Sequence, residues 1–190
     1  MSTLRRWLLA WLLALAMLPA AQAQAIQVTQ FAVEPTDEGY VVNANFEIEL
    51  TSRLEEALNN GVALFFAIEF ELIRSRWYWF DEKAANARID VRLSYNPLLR
   101  QYRLSTGSLQ RNFSSFSDAM NNLSRIRSWL VVERDKLPPE SAYTAALRMR
   151  LDTTQLPRPF QLSALTDRDL NLSSPWRRMP FATEAERAPR

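Results

Sequence analysis

The chain has 190 residues, 47% hydrophobic and 23% charged, which suits one ordinary domain with its own hydrophobic core and excludes wholesale disorder. It holds only three glycines, Gly39, Gly61 and Gly107, so glycine-rich phosphate loops and glycine repeats are excluded. The net charge of +2 vanishes once Arg5 and Arg6 of the amino-terminal segment are set aside, which leaves no cationic surplus for a nucleic-acid partner.

Met1 to Arg6 is short and positive, and Trp7 to Leu18 is an uncharged apolar run of 12 residues. Pro19 breaks the run, and Ala21-Gln-Ala23 and Ala23-Gln-Ala25 both fit the small-x-small cleavage rule. Residues 1–23 therefore read as a secretory signal, cleaved after Ala23 or Ala25. The run falls short of the roughly 20 apolar residues needed to span a bilayer, so no transmembrane span is expected after cleavage. Without cysteine there is no lipobox. The expectation is export to the periplasm.

Residues 24–176 read as one β domain and 177–190 as a frayed tail. Ile26 to Glu34 is a first strand, Pro35 to Gly39 a turn. Tyr40 to Leu50 alternates, with Tyr40, Val42, Ala44, Phe46, Ile48 and Leu50 on one face, the pattern of a half-buried antiparallel strand. Ser52-Arg-Leu-Glu55 reads as a capping box opening a short helix that Gly61 ends. Val62 to Ile73 begins apolar on both faces and then alternates around Glu69 and Glu71, as a central strand emerging into solvent would. Arg76 to Asp81 reads as an aromatic strand, and Asp81 to Asn86 as a turn. Ala87 to Tyr95 alternates again, Asn96-Pro97 bends the chain, and Leu98 to Ser105 and Leu109 to Phe113 read as strands. Ser115 to Arg127, capped by Ser117, is the clearest helix in the sequence. Trp129 to Glu133 and Tyr143 to Leu151 are strands, and Leu156 to Phe160 a rigid connector. Leu165 to Leu172 is expected as the last strand. Eight or nine short strands with two short helices predict an antiparallel β-sandwich of immunoglobulin-like architecture, with an open barrel as the alternative.

The chain has no histidine and no cysteine, so a Ser-His-Asp triad, a cysteine nucleophile and the usual zinc sites are excluded. No Walker loop, dinucleotide fingerprint or calcium loop is present. The expectation is a non-enzyme with no catalytic, cofactor-binding or metal-ligating residues and no cofactor. Glu47 with Glu49, and Glu69 with Glu71, share strand faces at a spacing within a glycosidase's range. Outward carboxylates facing Arg88, Arg92, Arg148 and Arg150 are more simply cross-strand ion pairs. The aromatic-arginine residues Arg76, Trp77, Tyr78, Trp79, Tyr95, Arg100, Tyr102 and Arg103 are the expected interaction patch, because tryptophan, tyrosine and arginine dominate binding hot spots.

Gly61-Val-Ala-Leu-Phe65, Glu69-Phe-Glu71, Arg76-Trp-Tyr-Trp79, Leu93-Ser-Tyr95, Arg100-Gln-Tyr102 and Leu151-Asp152 with Leu156-Pro157 together resemble domain of unknown function family 4390 over about Ile26 to Trp176. The chain departs from that family's pattern at Leu170, where a tryptophan is usual. The resemblance implies an exported domain of unassigned activity, often encoded beside a nitrogen-regulation-type sensor kinase. From it follows the expectation of an accessory module whose partner is that membrane sensor kinase or another envelope protein. The alternatives are a binder of a small molecule or envelope polymer through the aromatic-arginine patch and, more remotely, a carboxylate-dependent hydrolase.

Overall fold

The structure is a computed structural model that describes residues 25–74, 82–137, 143–164 and 167–183. The leader expected at 1–23 lies outside the described residues, as do Arg76 to Phe80. Among the described residues no helix is long and apolar enough to cross a membrane.

Among the described residues nine strands form two antiparallel sheets. Strands β1 (Ile26–Pro35), β2 (Gly39–Ile48) and β7 (Arg125–Glu133) make a three-stranded sheet in the order β1-β2-β7. The larger sheet runs β6-β5-β4-β3-β8-β9, from β6 (Leu109–Phe113), β5 (Gln101–Thr106), β4 (Glu82–Asn96) and β3 (Leu64–Arg74) to β8 (Tyr143–Leu151) and β9 (Arg177–Phe181). Among the described residues three short α-helices accompany them: α1 (Ser52–Asn59), α2 (Phe116–Leu123) and α3 (Arg158–Ala164).

The alternation in the sequence sets which face of each strand turns inward. Leu64, Phe66, Ile68, Phe70 and Leu72 of β3 are buried, as are Tyr143, Ala145, Leu147, Met149 and Leu151 of β8 and Tyr40, Val42, Ala44 and Phe46 of β2. Phe70 joins the two sheets. Its ring meets Phe31 of β1 edge-on at 6.4 Å and Trp129 of β7 at 6.5 Å. Tyr40 of β2 packs edge-on against Phe181 of β9 at 5.0 Å. Burying each such side chain contributes about 1.5–3 kcal/mol, so these contacts clamp the sandwich. Ala67 is fully buried although it points to the outer face of β3, in keeping with the doubly apolar start of that strand.

Several local expectations need correction. Helix α1 is capped by Thr51, not Ser52: the Thr51 hydroxyl accepts from the Leu54 amide at 3.4 Å and donates to the Asp169 carbonyl at 2.9 Å. That second bond spans the fold, which is why local pattern misplaced the cap. Helix α2 is capped by Ser115, not Ser117, and stops at Leu123, because Arg125 and Ile126 pair with Asn45 and Ala44 of β2. Strand pairing here overrides helical spacing. Strand β4 begins at Glu82, so most of the expected 81–86 turn is strand, held by pairing along β3 from Arg74. The Leu156–Phe160 connector opens helix α3, a third helix beyond the two expected. Of the strand expected at 165–172, residues 167–172 are described and are not a strand: they contain a 3-10 turn at Arg168–Leu170, and beside them Ser173 forms an isolated bridge to Arg150. The closing strand is β9, in what reads as a tail by composition; its register with β8 runs from Leu147↔Arg177 to Tyr143↔Phe181.

Candidate interaction site

The outer face of the large sheet has two electrostatically different halves. On the half built by β3, β4 and β8, arginines and carboxylates close upon one another. Glu69, 15% exposed, accepts from Arg148 Nε at 2.6 Å and from Arg150 Nε at 3.1 Å, and Arg88 lies 3.7 Å away. Arg88 also reaches Asp90 at 2.7 Å and Asp152 at 2.9 Å. Asp152 further accepts from the Thr154 hydroxyl at 2.6 Å and from Gln155 at 3.2 Å. Arg148 stacks over Trp176, its guanidinium carbon 4.4 Å from the ring centroid. Burial would push both carboxyls up, but hydrogen bonds and arginine charges outweigh it. Glu69 lies below its ordinary value through Arg148 and Arg150, and Asp152 falls to about 2 through Thr154, Gln155 and Arg88. Both oxygens of Glu69 face guanidinium groups, and a carboxyl held ionised in this way does not act as a general acid. Glu71 is paired with Lys83 at 2.6 Å, and Glu47 is exposed on β2. Three of the four arginines expected to face the carboxylates do so; Arg92 does not.

The other half, toward β5 and β6, carries cations without acids. Strands β4 and β5 meet through the turn Pro97–Arg100. Asn96 fixes that turn, its side-chain oxygen accepting from the Leu98 amide at 3.0 Å and the Leu99 amide at 3.1 Å. Arg100 closes it with φ 51°, an uncommon left-handed conformation for a non-glycine residue. The geometry turns two leucines into solvent: Leu98 is 93% and Leu99 61% exposed. Beside them lies an open groove of about 340 Å³, its polar lining made by Arg92, Ser94, Asn96, Gln101, Arg103 and Asn112. No acidic residue lines it. Arg103 is oriented by a hydrogen bond from Nε to the Asn112 side chain at 3.0 Å. Arg92 lies over the Phe65 ring at 5.8 Å. Among the described residues neither arginine, nor Arg100, forms an ion pair.

The expected patch is thus divided. Arg76, Trp77, Tyr78 and Trp79 lie outside the described residues. Tyr95 and Tyr102 face inward, in line with buried Leu93 and Leu104. Their rings stand 4.7 Å apart, Tyr102 packs on Phe116 of α2 at 5.5 Å, and its hydroxyl donates to Asn59 of α1 at 3.3 Å. Burial raises the Tyr102 pKa, with Tyr95 and Glu55 adding to it. Of the described patch residues Arg103 and the half-buried Tyr95 line the groove, and Arg100 is exposed on the turn beside it. Leu98 and Leu99 do not stand out in the sequence because they read as strand residues; the signal that marks them is Asn96-Pro97, an Asx-type turn start that leaves the next two side chains unpaired.

A search of curated proteins and a search of solved structures each return no match. A family model described as domain of unknown function (DUF4390) matches residues 23–180. That span covers both sheets, the ion-pair network and the hairpin tip, and on it the chain belongs to the DUF4390 family.

Proposed function

We propose that this chain is an exported, non-enzymatic accessory module that works by contact with another envelope protein, and that the β4–β5 hairpin tip makes the contact. One observation carries the reading: two solvent-exposed leucines are held on a rigid turn beside arginines that have no acid to pair with. Exposed leucines of this kind gain about 1.5–3 kcal/mol each when a partner covers them, and arginines with no acidic partner among the described residues can engage one without first breaking an ion pair. The positive, apolar and small-x-small order of residues 1–23 supports export. The family resemblance makes the extracytoplasmic portion of a nitrogen-regulation-type sensor kinase the first partner to test.

The test is co-purification of the exported chain with that portion of the kinase. Capture by the wild type, with loss in the Leu98→Ser, Leu99→Ser double variant, supports the reading. Failure of the wild type to bind removes the kinase as partner, and binding that survives the double change removes the tip as the site.

The groove also favours a second reading, in which it takes an anionic small molecule or envelope polymer. Its volume of about 340 Å³ falls in the range of ligand sites, and its two arginines would pair with carboxylate or phosphate. An Arg92→Ala, Arg103→Ala variant that keeps protein capture but loses retention on immobilised envelope polysaccharide would favour this reading.

A further inference from the structure

Among the described residues strand β6 ends the six-stranded sheet and is paired on one side only, with β5. Free strand edges are usually blunted, and the other described edges are. Strand β9 carries Pro180, β1 has a register break between Val28 and Gln30 and ends on Pro35, and the pairing of β7 breaks twice, once between Leu130 and Val132 and once around Ser128 at φ 49°. Strand β6 has no proline and pairs with β5 in unbroken register from Thr106↔Leu109 to Tyr102↔Phe113. The two strands meet at a two-residue turn, Gly107-Ser108, with Gly107 at φ 56°. In such a hairpin the residues flanking the turn exchange hydrogen bonds, and the pattern alternates from there. The N–H and C=O groups of Gln110 and Asn112 therefore point away from β5, toward the open edge.

A groove runs beside that edge, between β6 and α2. One hollow of about 210 Å³ has an apolar floor that includes Val91, Leu104 and Leu123, with Arg111 and Arg125 among its walls. A second, of about 460 Å³, continues along Phe113 and Asp118 and shares Arg125 and Asn122 with the first. Among the described residues Arg111 and Arg125 have no carboxylate partner. Asp118, the acid of the groove, is taken by the Ser115 hydroxyl at 2.7 Å.

We propose that β6 accepts an extended acidic peptide segment of a partner protein as a seventh strand. Every second side chain of the added strand enters the β6–α2 groove, where apolar groups meet its floor and a carboxylate meets Arg111 or Arg125. Charge selects this occupant over a second copy of the chain. Antiparallel pairing of two β6 strands about their centres would set Arg111 opposite Arg111, and like charges directly opposite are unfavourable. Asn112 lines both this groove and that of the hairpin tip, but Leu98 and Leu99 line neither hollow beside β6, and the inference does not depend on the tip.

Panning a random heptapeptide display library on the immobilised chain, followed by fluorescence anisotropy with the recovered peptide, tests the proposal. The expected peptides alternate apolar residues and carry at least one Asp or Glu. An Arg111→Glu, Arg125→Glu variant should weaken binding at least tenfold, and Gln110→Pro, which removes an outward N–H, should do the same. Methylating alternate backbone nitrogens of the peptide should also abolish binding, and this arm stands even if Gln110→Pro fails to fold. The Leu98→Ser, Leu99→Ser variant should bind the peptide as the wild type does. The proposal is overturned if no peptide is recovered, if charge reversal or methylation leaves binding unchanged, or if cross-linking shows two copies joined through β6.

Discussion

Replacing Asp152 with asparagine is expected to change how the stability of the chain depends on pH. In the folded state the Asp152 side chain is 8% exposed and accepts from Arg88, Thr154 and Gln155. These partners lower its pKa from 3.8 to about 2. A depression of that size corresponds to about 2 kcal/mol. Water reaches the network through Arg88, 39% exposed, so screening reduces the expected contribution to about 1–2 kcal/mol. Because the folded-state value lies below the unfolded one, the stabilisation is complete above about pH 4 and is lost as the pH falls from there through about 2. Asparagine keeps the shape and one acceptor but has no proton to titrate. Urea unfolding of both proteins at several values between pH 7 and pH 2 measures the difference directly. The gap between wild type and Asp152→Asn should be about 1–2 kcal/mol at pH 7 and close almost completely near pH 2. Glu69 titrates in both proteins and so largely cancels. A gap that stays constant across this range would refute the assignment of the low pKa to these hydrogen bonds.

Glu69→Gln removes the charge that faces Arg148 and Arg150, and thermal unfolding should report a loss of about 1–2 kcal/mol, moderated by the partial exposure of those arginines. Gly39→Ala should be more severe. Gly39 sits at φ 155°, and an added Cβ would lie 2.1 Å from the Val132 carbonyl oxygen, so β2 and β7 must separate. About 3 kcal/mol is expected, read as a lower urea midpoint or loss of soluble protein. The Leu98→Ser, Leu99→Ser variant should unfold within about 0.5 kcal/mol of the wild type, since both side chains are exposed. A larger loss in the same urea titration would mean that the tip is structural.

Much of the sandwich was legible in the chain because strand alternation is a local record of a non-local fact. Tyr143, Ala145, Leu147, Met149 and Leu151 mark the inner face of β8 whatever the partner sheet is, since a side chain two residues away always returns to the same face. Local competition decided less well. Residues 115–127 read as one helix, yet the chain turns into β7 at Arg125, where backbone pairing with β2 and the Phe46 amide bonded to the Ser124 carbonyl at 2.8 Å prevail over helical spacing. Strand β9 was hidden by its arginines and Pro180, which composition assigns to a tail and only pairing with β8 makes a strand.

From its sequence the chain determined its mainly β class, its inward residues, the family it belongs to and the absence of histidine and cysteine chemistry. Tertiary structure alone decided which charges would be consumed. Arg88, Arg148 and Arg150 look no different in sequence from Arg92, Arg103 and Arg111, but only the first three face Glu69, Asp90 or Asp152 across the sheet. Coulomb attraction falls with distance, and strand order and register set that distance. The same register leaves the other arginines unpaired beside an exposed turn and an open edge.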